Sequence, residues 1–296
     1  MKNKIKSKIE KFYKRNYKTL MVIPIILMIF SFVMIYNTIQ NEGTPIYRDI
    51  SLKGGLSTNI YVDTKVTTTE LENYLNNKYP DKEFSISELN ENGKKVGFII
   101  DTNLEEEILK KELEKYFNVT FDSQNYSSNF ISPSLSNSFF IQAVWILIIS
   151  FLLMSAVIFL YFREFVPAFA IILSAFFDIL VTIGILNSFK YKISISGIGT
   201  LLMLIGYSID TDILLTNRLL KEPGKNYIEK IFDAFKTGIT MSITTLLAGL
   251  VAFLFTNSKI IKEIALIILV GLTVDVISTW LQNSGILLWW LNKKSK

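Results

Sequence analysis

The apolar positions of this chain fall into long unbroken runs joined by short polar stretches. A run of about 20 apolar residues is what a helix needs to cross a hydrocarbon core about 30 Å thick. The pattern predicts six spans, at residues 19–39, 138–161, 165–186, 193–217, 234–255 and 264–290. Tyr191, Trp289 and Trp290 fall at span ends, where amphipathic rings favour the membrane interface. Residues 40–137 follow a different pattern, too long for a loop without structure. TNIYVD (58–63) alternates and is β-branched, so it predicts a strand. TTTELENYLNNKY (67–79) has a Thr cap and a helical apolar spacing at Leu71, Tyr74 and Leu75. FSISELN (84–90) and KVGFIID (95–101) flank ENGK, a hairpin signal. Asn103 is expected to cap a helix over 104–117, and NVTFDS (118–123) to form the last strand. The order strand, helix, strand, strand, helix, strand predicts a ferredoxin-like α+β domain. The fold class expected is thus an α-helical membrane protein of six spans, with that domain between the first two.

Charge orients the spans. Residues 1–18 hold eight Lys or Arg and one Glu. Arg163, Arg218, Lys221, Lys225, Lys230, Lys236, Lys293, Lys294 and Lys296 lie on the same side as that tail. The opposite short loops hold only Lys190, Lys192, Lys259 and Lys262. Basic residues mark the cytoplasmic side. The tail 1–18, the loop 218–233 and the tail 291–296 are therefore expected in the cytoplasm, and the acidic domain 40–137 outside a plasma membrane. A nucleic-acid arm is the competing reading of the basic tail. The adjoining span and anionic lipid headgroups account for it without nucleic acid. The first span is too long for a cleaved leader, and no small-x-small site follows it.

Composition narrows the chemistry. Half of the 296 residues are hydrophobic, and the chain holds neither Cys nor His. Disulfides, thiolate metal sites, a Ser-His-Asp triad and a His proton shuttle are excluded. No metal site, cofactor motif or nucleophile-base pair is legible, so no enzyme activity is expected. Paired intramembrane aspartates also occur in proteases, but no protease motif surrounds those of this chain. Asn118 and Asn125 head two glycosylation sequons, a pattern short enough to arise by chance.

The informative residues are acids inside the spans. A carboxylate near the bilayer centre costs about 2.5 to 3.5 kcal/mol, so it turns toward a partner helix or water and marks function by default. Asp178 lies in the third span between Ser174 and Thr182. Asp275 lies in the sixth, on a stripe with Gly271, Ser278, Gln282 and Gly285. Asp210 and Asp212 lie in the fourth, which ends at Arg218. Such acids gain or lose protons as helices move, and Asp178, Asp210, Asp212, Arg218 and Asp275 form the candidate proton or ion relay. The structural alternative is that each acid fixes helix register through hydrogen bonds. In the fifth span Gly238, Ser242, Thr245 and Gly249 share a stripe with Ala234 and Ala252, which lets helices approach closely with hydroxyls free to bond across.

GYSIDTDILLTNRLLKE (206–222) resembles the signature of the SecF family of protein-export membrane proteins. RDISLKGGLS (48–57), with Gly54 and Gly55, resembles that family's segment after the first span, and Asp178 its intramembrane Asp. KTGITMSITTLLA (236–248) is similar to its Thr-rich fifth span. Bacterial members read Asn-Asp-Thr where this chain has Asp210-Thr211-Asp212, and Asp-Arg where it has Asn217-Arg218; the version here resembles the archaeal branch, as does Asp275. The resemblance implies one six-helix half of a resistance-nodulation-division (RND) fold, whose halves work in pairs. It implies SecD as the partner half, the SecY channel as client complex, an unfolded secretory polypeptide as cargo and lipid around the spans. Two other readings stand beside export: a small-molecule or lipid exporter of the same superfamily, and a membrane scaffold without transport.

Overall fold

A computed structural model describes residues 13, 15–91, 94–223, 226–256 and 258–294. Most of the basic tail, Asn92 and Gly93 of the expected hairpin turn, Lys225 and Lys296 lie outside the described residues. Helix α1 (Val22–Glu42) ends where Gly43 turns left-handed at φ 69° and its amide bonds to Ile39 O. The chain then builds a sheet layer from α2 (Ile50–Lys53), β1 (Gly55–Tyr61), α3 (Thr68–Lys78), β2 (Phe84–Glu91), β3 (Lys94–Thr102), α4 (Glu106–Phe117) and β4 (Tyr126–Ile131). The strand order is β2-β3-β1-β4, with every neighbouring pair antiparallel. Strand side chains alternate between faces. Leu56 and Ile60 of β1 and Phe98 and Ile100 of β3 take one face and pack against Leu71, Leu75, Leu109 and Leu113 of α3 and α4. The opposite face looks toward the long helices across a cavity of about 650 Å³ bordered by Ser57, Asn59, Asp101, Ser194 and Lys259.

Two local expectations change. Glu105 occupies the N-cap position of helix α4 without a side-chain cap bond, while Asn103 instead accepts a bond from the Glu83 amide at 3.1 Å. Leu104 is buried in the domain core, and Thr102 Oγ1 accepts from its amide at 3.1 Å, which holds that residue outside the helix. Glu106 and Glu107 then fill the first turn, where carboxylates favour the helix N-terminus. The last strand is 126–131, not 118–123. Asn118 ends α4 in a left-handed conformation at φ 52°, and the Asp122 carboxylate accepts from the amides of Gln124 and Asn125. That turn delays the strand until Tyr126, which pairs with Ile60.

Gly54 and Gly55 carry the sheet into the long helices. Their φ angles are 85° and 146°. A Cβ on Gly54 would lie 2.5 Å from Pro133 Cα, and one on Gly55 2.7 Å from Thr102 O. Only residues without a side chain fit this corner. The long helices are α5 (Pro133–Phe162), α6 (Phe165–Ser188), α7 (Ile195–Lys221), α8 (Tyr227–Phe255), α9 (Lys259–Ile277) and α10 (Ser284–Lys294), with a π-helical turn at Ser278–Asn283 between the last two. Among the described residues five helices are long and apolar enough to cross a membrane: Arg15–Glu42, α5, α6, α7 and α8. The segment expected as a sixth span is the run α9, π turn, α10. Its first helix, of 19 residues, opens with Lys259, Lys262 and Glu263. Helix α6 is the most enclosed of the five. At the sheet end, Lys259 Nζ bonds Asp101 Oδ2 of β3 at 2.6 Å and lies 3.4 Å from Asp49 Oδ2, so α9 is tied to the sheet layer.

Of the two glycines in the small-residue stripe on α8, Gly238 lies in close contact with a neighbour and Gly249 does not. A Cβ on Gly238 would lie 2.6 Å from the Trp280 ring, which also meets Phe235 edge-on at 5.0 Å. The hydroxyls of the stripe do not bond across. Ser242 donates to Gly238 O at 3.1 Å and Thr245 to Met241 O at 3.2 Å, within their own helix.

Adding one methyl at Gly238 overpacks this contact. Gly238→Ala should lower stability by about 1 to 3 kcal/mol, read by thermal unfolding in detergent. Gly249→Ala should change little, since a Cβ there meets Leu269 at an ordinary 3.6 Å.

Glu112 of α4 is buried and accepts bonds from Tyr74 and Lys78 of α3. Burial raises its pKa, but those bonds and the Lys78 and Lys115 charges outweigh it and hold the carboxyl below its ordinary value. A depressed carboxyl stabilises the fold above its unfolded pKa, and that contribution fades as pH falls through the folded value. Acidification below about pH 4.3 should therefore lower the amide-exchange protection factors, corrected for the intrinsic pH dependence, in 67–117 of the full chain. Glu112→Gln should remove that step and cost about 1 kcal/mol at neutral pH, the Lys78 end being screened by solvent.

Candidate functional site

Three acids from three helices meet in the middle of the helical layer. Asp178 (α6), Asp212 (α7) and Asp275 (α9) are 1%, 0% and 1% exposed. They come together because each lies on the polar stripe of an otherwise apolar helix, and the stripes can satisfy their polar groups only against one another. Both Asp178 oxygens accept hydroxyl bonds of 2.5 Å, Oδ2 from Ser208 of α7 and Oδ1 from Ser278 of the π turn. Thr211 Oγ1 lies 3.2 Å from both Asp275 oxygens, and Thr279 donates to Oδ1 at 3.2 Å. Asn283 Nδ2 donates to Asp212 Oδ1 at 2.7 Å. The three carboxyls are within electrostatic reach of one another. Among the described residues no Lys or Arg pairs with any of them.

The π turn decides which side chains reach the acids. In an unbroken α-helix of 3.6 residues per turn, Gln282 would stand under Asp275. Ser278 and Thr279 stand three and four residues after Asp275, as on any helix, and the wider turn at Ser278–Asn283 adds Asn283, so that the three each bond a different acid. Such turns recur at functional sites. This one is held from outside: Tyr13 Oη lies 2.6 Å from Ser284 Oγ and donates to Trp280 O at 3.2 Å, while its ring meets Phe232 edge-on.

The remaining candidates lie elsewhere. Asp210 is on the exposed side of α7, away from Asp212. Arg218 is a turn and a half beyond Asp212 along α7, donating to Thr237 Oγ1 at 3.0 Å and 3.9 Å from Glu222. Gly54 and Gly55 form the corner below the sheet, and Gly238 supports Trp280. The sequence reading did not single out Ser208, Thr279 or Asn283. Ser208 stands four residues before Asp212, a signal of a shared helix face. Thr279 stands four residues after Asp275, the same signal, while nothing in the spacing announced Asn283, which projects from the π turn. Glu263 was also missed: buried at the sheet end, it accepts from Ser194 N at 2.7 Å and Ser194 Oγ at 2.5 Å, closing the start of α7. The arrangement can hold, pass or release a proton between neighbouring carboxyls, since hydroxyls donate and accept alike.

The family model for the C-terminal region of the protein-export membrane proteins SecD and SecF matches residues 110–293. The protein-export membrane protein SecF of Methanocaldococcus jannaschii is 34% identical over 94% of this chain and 97% of its own. That of Pyrococcus furiosus is 30% identical over 99% and 97%. Among solved structures, the translocon-associated membrane protein SecDF of Thermus thermophilus superposes with a TM-score of 0.72 at 20% identity, covering 95% of this chain. SecDF in a super-membrane-facing form gives 0.63 at 21% identity, again over 95%. The chain spans 38% and 39% of those two longer chains. Those superpositions share the fold, and the full-length identities with the archaeal relatives carry the assignment: the chain belongs to the SecF family of protein-export membrane proteins.

Proposed function

We propose that this chain is a SecF-type accessory subunit of protein export that pairs with SecD and uses ion movement past its buried acids to help draw chains outward. The single observation that carries the mechanism is the meeting of Asp178, Asp212 and Asp275 with only neutral hydroxyl and amide partners among the described residues. A carboxyl gaining or losing a proton there changes which hydroxyls donate and which accept. Those hydroxyls sit on α7 and the π turn, so the change acts on how α6, α7 and α9 fit together. The start of α9 holds the sheet layer through Lys259, Asp49 and Asp101, which gives the change a mechanical route to the outer domain.

In this reading α9, the π turn and α10 cross the membrane as one sixth span. The sheet layer is a ferredoxin-like domain outside the cell, both termini are cytoplasmic, and the spans lie in lipid. The cargo is an unfolded polypeptide emerging from the SecY channel. SecD supplies the second half of an RND-type pair, a reading supported by the superposition on part of two chains named SecDF. The exposed side of α7 is where that half would pack. A Cβ on Gly199 or Gly206 would meet nothing within 4 Å, and Asp210 and Tyr207 lie on the same open side. A carboxylate facing lipid there is costly, and a partner helix removes that cost. Arg218 and Asp210 then belong to the surface of the pair rather than to the buried triad.

Two measurements test this. Asp178→Asn in the assembled complex should lower ion-driven export by at least about tenfold while SecD still co-purifies. Unchanged export and unchanged proton flux would leave a scaffold. Because the chain has no Cys, Asp210→Cys supplies a single crosslinking point. It should crosslink to cysteines placed along SecD spans; crosslinks between identical chains would favour a homo-oligomeric exporter.

A further inference from the structure

Two glycosylation sequons, Asn118-Val119-Thr120 and Asn125-Tyr126-Ser127, follow helix α4 and are equivalent as sequence. The fold separates them. Asn125 is bound through all its polar groups. Its Nδ2 donates to Thr120 O at 3.2 Å and its Oδ1 accepts from the Asp122 amide at 2.8 Å. Its own amide donates to Asp122 Oδ1 at 3.2 Å, and its carbonyl accepts from the Tyr61 amide at 2.9 Å. Tyr126 opens β4, pairs with Ile60 and sets its ring 5.6 Å from that of buried Phe121. Ser127 pairs with Asn59 of β1. The second sequon is therefore built into the sheet, and its acceptor nitrogen is turned onto a backbone carbonyl.

The first sequon is presented differently. Asn118 and Thr120 are exposed, and residues 119–122 are neither helix nor strand. Among the described residues neither side chain has a hydrogen-bond partner. Glu114 holds both ends of the segment. Its carbonyl accepts from the amides of Asn118 and Val119, and its carboxylate accepts from the Phe121 amide at 3.0 Å. Phe121 then returns the chain to the domain core. The result is a short loop that projects between two anchors. Attachment of a bulky group needs a side chain in water and a backbone that opens locally at small cost. Only the first sequon offers both.

We propose that Asn118 is an N-glycosylation site and that Asn125 is not. The donor would be a glycan joined through its anomeric carbon to a lipid phosphate or diphosphate. A bond forms between Asn118 Nδ2 and that carbon, the carbon–oxygen bond to phosphate breaks, and the lipid phosphate leaves. The amide proton passes to a base of the transferase. Thr120 supplies the hydroxyl by which the segment is recognised. The inference rests on the sheet layer lying outside the cell, where such transfer takes place.

The test is mass spectrometry of the full chain purified from the cells that naturally make it. Chymotrypsin cleavage after Phe121 divides the two sequons. Peptides with Asn118 should gain the mass of a glycan, and those with Asn125 should not. A left-handed helix end favours Asn by itself, so the decisive variant is Thr120→Ala, which keeps Asn118 and its conformation. It should abolish the added mass, and Thr120→Ser should retain it. An unmodified Asn118, added mass that survives Thr120→Ala, or a glycan on Asn125 would overturn the proposal. The chain has no Cys, so Gln124→Cys, at an exposed position, gives a single label for a membrane-impermeant maleimide. Labelling of intact cells with Asn118 unmodified would sink the glycan and keep the outer placement. Labelling only after lysis would sink both.

Discussion

The hydroxyl-to-carboxylate bonds across the interface of α6, α7 and α9 are the constraint on which the rest of the helical layer depends. A carboxyl without water is tolerated only when its oxygens are bonded. Here the partners are Ser208, Ser278, Thr211, Thr279 and Asn283, none of which carries charge. A Lys or Arg in their place would lock each acid in its ionised form. Neutral donors leave the protonation state free to change, at the cost of needing every donor in place. The surrounding packing serves that need. Trp280 seated on Gly238 and Tyr13 bonded to the π turn fix the backbone from which three of the five donors project.

One helix links the sheet layer to the acids. Helix α9 begins at Lys259, bonded to Asp49 and Asp101, and continues to Asp275 near its other end. The Gly54-Gly55 corner keeps the second connection between layers compact, because no side chain intervenes between the sheet and Pro133. Glu263 closes the start of α7 beside this joint, which leaves few free polar groups where the two layers meet.

Some elements announced themselves through local chemistry. The Thr67 cap with Glu70 is a reciprocal capping box, so α3 begins where its sequence says. Helix α4 and strand β4 did not follow the same logic. Asn103 is a good cap by type, but the burial of Leu104 pushed the helix start past it. NVTFDS alternates like a strand, but the left-handed Asn118 and the Asp122 turn took those residues, and the pairing with β1 fell to Tyr126–Ile131. In both cases a tertiary contact or a turn outweighed a local preference.

By itself the sequence determined where the apolar runs lie and that Asp178, Asp210, Asp212 and Asp275 must find polar company, because transfer of a carboxylate into an apolar layer is costly wherever it occurs. It also marked the chain's kinship, since the signature around Asp210-Thr211-Asp212 is a matter of residue order alone. Which acids meet was decided only in three dimensions. Asp210 and Asp212 are two residues apart, yet one is exposed and the other buried, since a helix turns neighbours at that separation to different sides. Thr279 meets Asp275 at ordinary helix spacing, but the choice of Asn283 as a partner depended on a π turn, a change of helical pitch that no spacing of residues encodes and that packing against Gly238 and Tyr13 maintains.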